Sequence, residues 1–173
     1  MLTVIDVETT STVMPWGRDP SPYNSANYLV SIGWWNERDD LVYYNAGNRH
    51  APIATGLTNV IQEMLDNTTL LVAHNLKFDL SWLFELGYRY AGELHCTMVG
   101  DYLLARGRPV VLDLTSCCVR HGVEGKDDKE VKELWNKGIG FEEMPWPLVE
   151  TYGRQDILSC RDLYFAQQKV LYT

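Results

Sequence analysis

The feature that most constrains the fold is the order in which two kinds of apolar pattern occur along the chain. Short apolar runs rich in β-branched and aromatic residues come first, and they predict strands at Leu2–Val7, Tyr28–Trp35, Leu41–Tyr44 and Leu70–Ala73. Apolar residues at helical spacing follow, and they predict helices at Thr58–Asp66, Leu76–Gly87, Thr97–Ala105, Leu112–Arg120, within Asp127–Lys137, and from Pro147 to about Leu171. We therefore expect an α/β fold with helices flanking a mixed central β-sheet.

The segments between these elements carry ordinary turn signals. Ser11–Asn27 contains three prolines and Gly17, which predicts a loop. The polar segment Asn36–Asp40 separates two predicted strands and indicates a hairpin. No repeat, low-complexity tract or linker divides the chain, so we expect one domain over residues 1–173.

Composition excludes several classes of protein. The 173 residues are 46% hydrophobic and 22% charged, which is typical of a globular domain with a sizeable core. No apolar run approaches the roughly 18 residues of a membrane helix, and no basic segment followed by an apolar one opens the chain. The four cysteines are Cys96, Cys117, Cys118 and Cys160, and they show no CxxC spacing. This indicates free thiols in a reducing compartment. We expect a cytoplasmic protein without a membrane partner.

The net charge of −8 bears on possible partners. Non-specific affinity for nucleic acid comes from Lys and Arg that neutralise phosphates, so an acidic chain should bind it weakly. Carboxylates that hold divalent cations would also make a sequence acidic, and the bound cations would restore positive charge locally. The charge therefore lowers the expected affinity for nucleic acid without excluding it, and suggests that a neighbouring domain supplies part of the grip.

Five polar side chains occur where chemistry is expected. Asp6 and Glu8 lie two apart on a predicted strand and so share a face, and Asp79 lies near the start of a helix that follows a buried strand. Tyr152 and Asp156 lie four apart on the last predicted helix. Each has an ordinary alternative: a strand end in solvent, a carboxylate near a helix N-terminus, or a buried Asp satisfied by hydrogen bonds.

Taken together and in this order, the segments resemble a known superfamily. They read DVE at 6–8, AHNLKFD at 73–79 and YGRQD at 152–156. This pattern is similar to that of the DEDD 3′→5′ exonucleases, which have a ribonuclease H-like fold. Within that superfamily the chain resembles the proofreading domains of family A DNA polymerases, particularly bacteriophage ones, and the segments 112–114 and 149–156 resemble them too.

The resemblance also distinguishes two branches of the superfamily. One branch has a histidine five residues before the last aspartate, where this chain has Thr151. The other has a tyrosine four residues before it, where this chain has Tyr152. The tyrosine branch is therefore favoured. One departure is Cys96, which precedes Thr97 where similar domains often have Asp; a supporting contact is in doubt there, but none of the four carboxylates.

The resemblance implies a site for two divalent cations, Mg²⁺ with Mn²⁺ as a substitute, which suits hard carboxylate oxygens. Asp6 would bridge the cations, Glu8 and Asp156 would complete the site of the cation that carries the attacking water, and Asp79 would hold the other cation largely through water. Tyr152 would orient the attacking water, because a phenol with an ordinary pKa of about 10 is a poor proton acceptor.

Contacts with substrate are predicted less directly. Thr9, Asn75 and His74 are the expected substrate-binding residues, with helix capping as the alternative for Asn75 and a structural role for His74. Arg106 and Arg108 form a possible phosphate patch, although solvated charge is the ordinary interpretation. Phe78 is expected in the core. The same holds for most of the tryptophans, although some could stack on bases. These tryptophans are Trp34, Trp35, Trp82 and Trp146.

The expected function is removal of nucleotides from the 3′ end of single-stranded DNA. Two alternatives stay open: an exoribonuclease of the same superfamily, and a catalytically silent exonuclease fold that holds DNA. The first motif stands at residue 6 and the chain stops at Thr173, near the end of the helix that carries Asp156. We therefore expect the chain to act with a DNA polymerase domain or partner, in a bacterial host cytoplasm if it is phage-encoded.

Overall fold

The structure is a computed structural model that describes residues 1–126 and 128–171. The strands of these residues are β1 (Leu2–Thr9), β2 (Thr12–Met14), β3 (Gly17–Asp19), β4 (Leu29–Asn36), β5 (Asp40–Asn45), β6 (Leu70–Ala73) and β7 (Glu93–Cys96). The helices are α1 (Leu57–Asp66), α2 (Leu76–Glu85), α3 (Thr97–Leu104), α4 (Leu114–Arg120), α5 (Lys129–Asn136) and α6 (Trp146–Leu171). The four predicted strands and the six predicted helices all form, and their bounds differ by a few residues.

Five strands form one mixed sheet in the order β5-β4-β1-β6-β7. The pairs β5–β4 and β4–β1 are antiparallel, whereas β1–β6 and β6–β7 are parallel. The predicted α/β class with a mixed sheet is therefore confirmed. Strand β1 lies in the middle and is hydrogen-bonded on both edges, which fixes the direction of its side chains.

Helices cover both faces of this sheet because β1 is apolar on both sides. Ile5 and Val7 point to one face, where they pack in a core with buried residues of α1 and α2. Val4 points to the other face and packs with buried residues of α4 and α6. Successive strand residues alternate between faces, so Asp6 and Glu8 lie on the side of Val4, towards α6.

Helix α6 presents one buried stripe to the sheet, as its sequence predicts. The stripe recurs at helical spacing and contains Val149, Tyr152, Asp156, Ser159 and Leu163, which are all buried. Gly153 lets the helix approach β5, because a Cβ at this position would collide with the ring and hydroxyl of Tyr43. That ring is itself fixed, since the Tyr43 and Ser31 hydroxyl oxygens are 2.8 Å apart in a hydrogen bond.

Two short strand segments depart from the prediction. The predicted loop over residues 11–27 contains the β2–β3 hairpin, which turns at Pro15 and Trp16 and enters β3 at Gly17, whose φ of 132° favours glycine. The prolines of this segment lie outside the two strands, which is why they do not prevent pairing. Strand β7 was not predicted either, because it has four residues, of which Glu93 and Leu94 are exposed, and so lacks a clear apolar pattern.

Capping residues explain the adjusted helix bounds. Helix α4 begins at Leu114, two residues later than predicted, because the Asp113 side chain caps it by accepting the Ser116 backbone N–H at 2.9 Å. Helix α2 ends at Glu85, just before Gly87 with its φ of 88°, the predicted stop. Residue 127 of the predicted α5 range and residues 172–173 of the predicted domain lie outside the described residues.

The cysteines are free thiols, of which Cys117, Cys118 and Cys160 are buried and Cys96 is half-buried. In the part of the chain that the structure describes, the helices are too short or too polar to traverse a lipid bilayer. The stability of the domain therefore has to come from the apolar packing on the two faces of the sheet, without crosslinks between these thiols.

The close approach of α6 to β5 can be tested with Gly153→Ala. Alanine in a helix is normally favoured over glycine by about 1 kcal/mol. Here the added methyl group would collide with Tyr43, so we expect a loss of about 1–3 kcal/mol in the free energy of unfolding, measured in urea. Thr151→Ala, on the exposed side of the same helix, is the control and should change this free energy by less than about 1 kcal/mol. A stabilised Gly153→Ala protein would contradict the packing described above.

Candidate metal centre

Strand β1 and helix α6 bring three carboxylates together. Asp6 and Glu8 project from the face of β1 that α6 covers, and Asp156 projects back from α6. One ligand oxygen from each of the three residues lies within 4.8 Å of the other two. Three of the four predicted ligands thus form a cluster of the size of a cation's coordination shell.

Asp79 reaches the same strand at its edge, beyond the point where the pairing with β6 ends. It lies in the first turn of α2, is 2% exposed, and its Oδ1 accepts the backbone N–H of Val7 at 3.2 Å. It is not a member of the 4.8 Å cluster. Its charge nevertheless raises the pKa values of Asp6 and Glu8, so it belongs electrostatically to the same site.

Burial makes these carboxylates hard to ionise in the protein without metal. Burial first, and then the charges of Glu8, Asp156 and Asp79, raise the pKa of Asp6 well above its usual range. Burial also raises the pKa of Glu8, with the charge of Asp156 adding to it, and that of Asp156, where Lys126 opposes the rise. The pKa of Asp79 rises to about 8, again through burial, with backbone N–H donors opposing it.

Two oxygens of the cluster have no hydrogen-bond partner among the described residues. Asp6 Oδ2 and Asp156 Oδ1 are both buried. A buried polar atom without a partner is costly, and carboxylate oxygens are the ligands that hard divalent cations prefer. The residues present therefore fit a Mg²⁺- or Mn²⁺-type centre, with Asp6, Glu8 and Asp156 as direct ligands and Asp79 beside them.

Tyr152 lies one turn before Asp156 and is held by aromatic contacts. Its ring packs against Phe141 and Trp135, with ring centroids 5.4 and 6.0 Å away. Burial first, and then the neighbouring carboxylates, raise the pKa of the Tyr152 hydroxyl far above its ordinary value. The phenol therefore stays protonated, and it can orient a water molecule or a phosphate oxygen by hydrogen bonding.

Sequence reasoning missed Lys126, which completes the site. It lies between α4 and α5, its side chain is 8% exposed, and its Nζ donates to Tyr152 Oη and to Asp156 Oδ2, each at 2.6 Å. The Nζ also lies 3.9 Å from the centroid of the Tyr152 ring. No local signal marks this lysine, because it stands in a charged stretch that is typical of solvated surface.

The predicted substrate residues fall into different places. Thr9 lies beside Glu8 and lines a cleft of about 480 Å³ together with Arg18, Phe78 and Trp135. Asn75 lies at the N-terminus of α2 with a φ of 61°, and its side chain does not cap the helix. Asn75 is exposed and lines a second groove of about 820 Å³, which is largely apolar.

The two ring nitrogens of His74 are both used inside the protein. Nδ1 is 2.9 Å from Thr97 Oγ1, and Nε2 is 2.8 Å from the carbonyl oxygen of Leu112. Burial lowers the pKa of His74, which favours the neutral ring. These contacts support the structural alternative for His74, and they leave its predicted contact with substrate without support from the geometry.

The remaining candidates lie away from the carboxylate cluster or in the core. Arg106 and Arg108 are exposed and line a cleft of about 720 Å³ with Arg120, His121 and Asp101. Arg120 and His121 are already bound to Asp101 there. Trp34 and Trp82 are buried, as expected for most of the tryptophans, and Trp35 and Trp146 are half-buried. Phe78, expected in the core, is half-buried at the cleft beside Glu8.

The raised pKa of Asp79 predicts how metal-free stability depends on pH. The folded carboxyl has a pKa of about 8 and the unfolded one an ordinary value of 3.8. Its contribution to stability is fully present below about pH 4 and is lost as the pH rises through about 8. Asp79→Asn keeps the oxygen that accepts from Val7, so in EDTA its stability relative to wild type should increase from pH 5 to pH 9.

The measurement is urea unfolding at several pH values in EDTA. Asp162→Asn, which alters an exposed carboxylate in a surface ion pair with Arg161, is the control and should shift the unfolding free energy by no more than about 0.5 kcal/mol. Parallel pH curves for Asp79→Asn and wild type would show that Asp79 ionises normally in the fold.

Comparison with known proteins gives matches in structure alone. No protein-family model and no curated protein matches this chain. A structure described as the apo form of a nuclease aligns with a TM-score of 0.65 at 14% identity, over 97% of this chain and 72% of that one. Two structures of NrnC from Brucella melitensis also align over 97% of this chain and 72% of theirs. The structure bound to pGG has a TM-score of 0.61 at 17% identity, and the structure with bound Mg²⁺ has a TM-score of 0.62 at 15% identity. The chain therefore has the ribonuclease H-like exonuclease fold.

Proposed function

We propose that this protein is a metal-dependent 3′→5′ exonuclease that hydrolyses phosphodiester bonds at the 3′ end of single-stranded DNA. The observation that carries the proposal is the cluster of Asp6, Glu8 and Asp156, whose ligand oxygens lie within 4.8 Å of one another on a nuclease-like fold. All four carboxylates of the motif pattern are present, which favours an active enzyme over a silent DNA-holding module.

The chemistry requires a nucleophile on one side of the phosphorus and stabilisation of the departing 3′-oxygen on the other. Two divalent cations about 3.5–4 Å apart supply both in an in-line displacement. By the resemblance to exonucleases, Asp6 would contact both cations, Glu8 and Asp156 would hold one, and Asp79 would hold the other through water. Tyr152, kept neutral by its raised pKa, would place the attacking water by a hydrogen bond.

The cleft beside Glu8 is suited to the terminal nucleotide. It has room for a base and a sugar at about 480 Å³, and Phe78 and Trp135 offer aromatic surface on which a base can stack. Arg18, on the β2–β3 hairpin, adds a cation for a phosphate. Thr9 lines the same cleft, next to a shift in the pairing register of β1 between Glu8 and Thr9. We propose that Thr9 contacts the terminal 3′-hydroxyl.

We further propose that a DNA polymerase domain or partner contributes part of the binding affinity for DNA. The sequence resemblance to proofreading domains supports this, and so does the net charge of −8, which leaves few cations for several nucleotides of backbone. The NrnC structure bound to pGG is among the structural matches. An exoribonuclease of the same superfamily is the alternative, so the assay has to include RNA.

The decisive assay is a time course on matched single-stranded DNA and RNA labelled at the 5′ end. We expect ladders that shorten from the 3′ end of DNA in Mg²⁺ or Mn²⁺, stop in EDTA, and advance in short, salt-sensitive steps under single-hit conditions. Asp6→Asn and Asp156→Asn should lose at least about 10³-fold in rate, since each removes a direct ligand. Asp162→Asn should keep wild-type activity.

The alternatives predict other results in the same assay. Faster removal of ribonucleotides would favour an exoribonuclease, and an active Asp6→Asn enzyme would contradict the metal mechanism. Long processive runs at physiological salt would contradict dependence on a partner.

A second prediction concerns the role of the Tyr152 hydroxyl. Tyr152→Phe should slow the chemical step about 10²-fold in single-turnover reactions while it leaves Mg²⁺ affinity nearly unchanged in calorimetry. The reason is that the hydroxyl would orient water without holding a cation. A large fall in Mg²⁺ affinity would instead show that the hydroxyl organises the carboxylates.

A further inference from the structure

Lys126 is a buried cation in direct contact with two residues of the proposed active site. Its aliphatic stem lies in the protein, and its Nζ donates to Asp156 Oδ2 and Tyr152 Oη at 2.6 Å each. A lysine on a surface loop normally keeps its ammonium in water, because burying the charge is costly. The position of this ammonium therefore depends on the two oxygens it contacts.

The contact with Asp156 distinguishes the two oxygens of that carboxylate. Oδ2 accepts from Lys126, whereas Oδ1 is buried and has no hydrogen-bond partner among the described residues. A carboxylate held by one oxygen cannot rotate freely about its Cβ–Cγ bond. Lys126 thereby leaves Oδ1 available to a cation beside Asp6 and Glu8.

The contact between Lys126 and Tyr152 determines which hydrogen bond the tyrosine hydroxyl accepts. An ammonium can only donate, so the Tyr152 oxygen accepts from Lys126 and its own O–H remains to donate, with the Asp156 carboxylate within its reach. The ring is already held by Trp135 and Phe141. The lysine therefore fixes the remaining freedom of this side chain, the direction in which the hydroxyl proton points.

We propose that Lys126 is a positioning residue of the exonuclease: one ammonium aligns the metal-facing oxygen of Asp156 with the hydroxyl proton of Tyr152. This inference rests on the proposed function, and it adds to it a residue that the four carboxylates and the tyrosine do not include. The alternative is a structural role, in which Lys126 neutralises a buried carboxylate and has no effect through Tyr152.

A double-mutant cycle on the full chain separates these roles. Lys126→Met keeps the length of the side chain and removes its donors, and we expect kcat on 5′-labelled single-stranded DNA to fall about 10- to 100-fold with little change in KM. Because Lys126 acts through Tyr152, adding Tyr152→Phe should slow Lys126→Met by less than about threefold. Lys137→Met, an exposed lysine at the end of α5, is the matched control and should keep the wild-type rate.

A second readout does not need activity. With ¹³Cζ-labelled tyrosine, the Tyr152 resonance, assigned by its loss in Tyr152→Phe, should shift in metal-free Lys126→Met and stay in place in Lys137→Met. Lys126→Arg keeps the charge and should recover part of the rate, since a guanidinium can still donate to both oxygens. The same cycle is run with Lys126→Arg if Lys126→Met does not fold.

The outcomes distinguish this inference from the proposed function. A wild-type chain without Mg²⁺-dependent exonuclease activity would overturn the proposed function, and the catalytic role of Lys126 with it. Two results with an active wild type would overturn the role of Lys126 and leave the proposed function intact. One is that the rate losses of Lys126→Met and Tyr152→Phe multiply in the double variant, and the other is that the Tyr152 resonance does not shift in Lys126→Met. The role of Lys126 would be supported if the wild type is active, the rate losses of the two variants do not multiply, and the Tyr152 resonance shifts in Lys126→Met.

Discussion

The arrangement of the candidate site depends on the electrostatic cost of placing four carboxylates around one end of a buried strand. Burial raises the pKa values of Asp6, Glu8, Asp79 and Asp156, and the charges of the neighbouring carboxylates raise those of Asp6 and Glu8 further. A backbone N–H of β1 and the ammonium of Lys126 offset part of this cost. They leave Asp6 Oδ2 and Asp156 Oδ1 without described partners, so the most direct remaining compensation is a divalent cation.

The fold can keep these carboxylates close together because the strand and the helix that carry them are tightly packed. Strand β1 is paired on both edges, and α6 crosses the same face with Val149, Ile157 and Leu163 fully buried. The helix comes close because Gly153 leaves room for the Tyr43 ring. Precise packing on an apolar face thus sets the separation of the ligand oxygens, which flexible loops could not maintain at this spacing.

The aromatic residues around Tyr152 connect the metal centre with the cleft. Trp135 and Phe141 pack against the Tyr152 ring, and both line the cleft beside Glu8. Lys126, in the segment that leads into α5, contacts the same tyrosine. A nucleotide that enters the cleft would therefore touch the side chains that hold the proposed water-orienting hydroxyl. Binding of substrate and alignment of the nucleophile would share one set of contacts.

The sequence by itself determined four strands and six helices, because apolar periodicity is a local property of the chain. The resemblance of its motifs to those of exonucleases grouped Asp6, Glu8, Asp79 and Asp156 as candidate ligands. The sequence did not indicate the β2–β3 hairpin or β7, whose short, partly exposed segments lack a clear period. Only the tertiary structure decided that Lys126 belongs to the site and that His74 has both nitrogens bound inside the protein. Lys126 and Asp156 are 30 residues apart and meet because a loop packs on α6, a contact that no local pattern encodes.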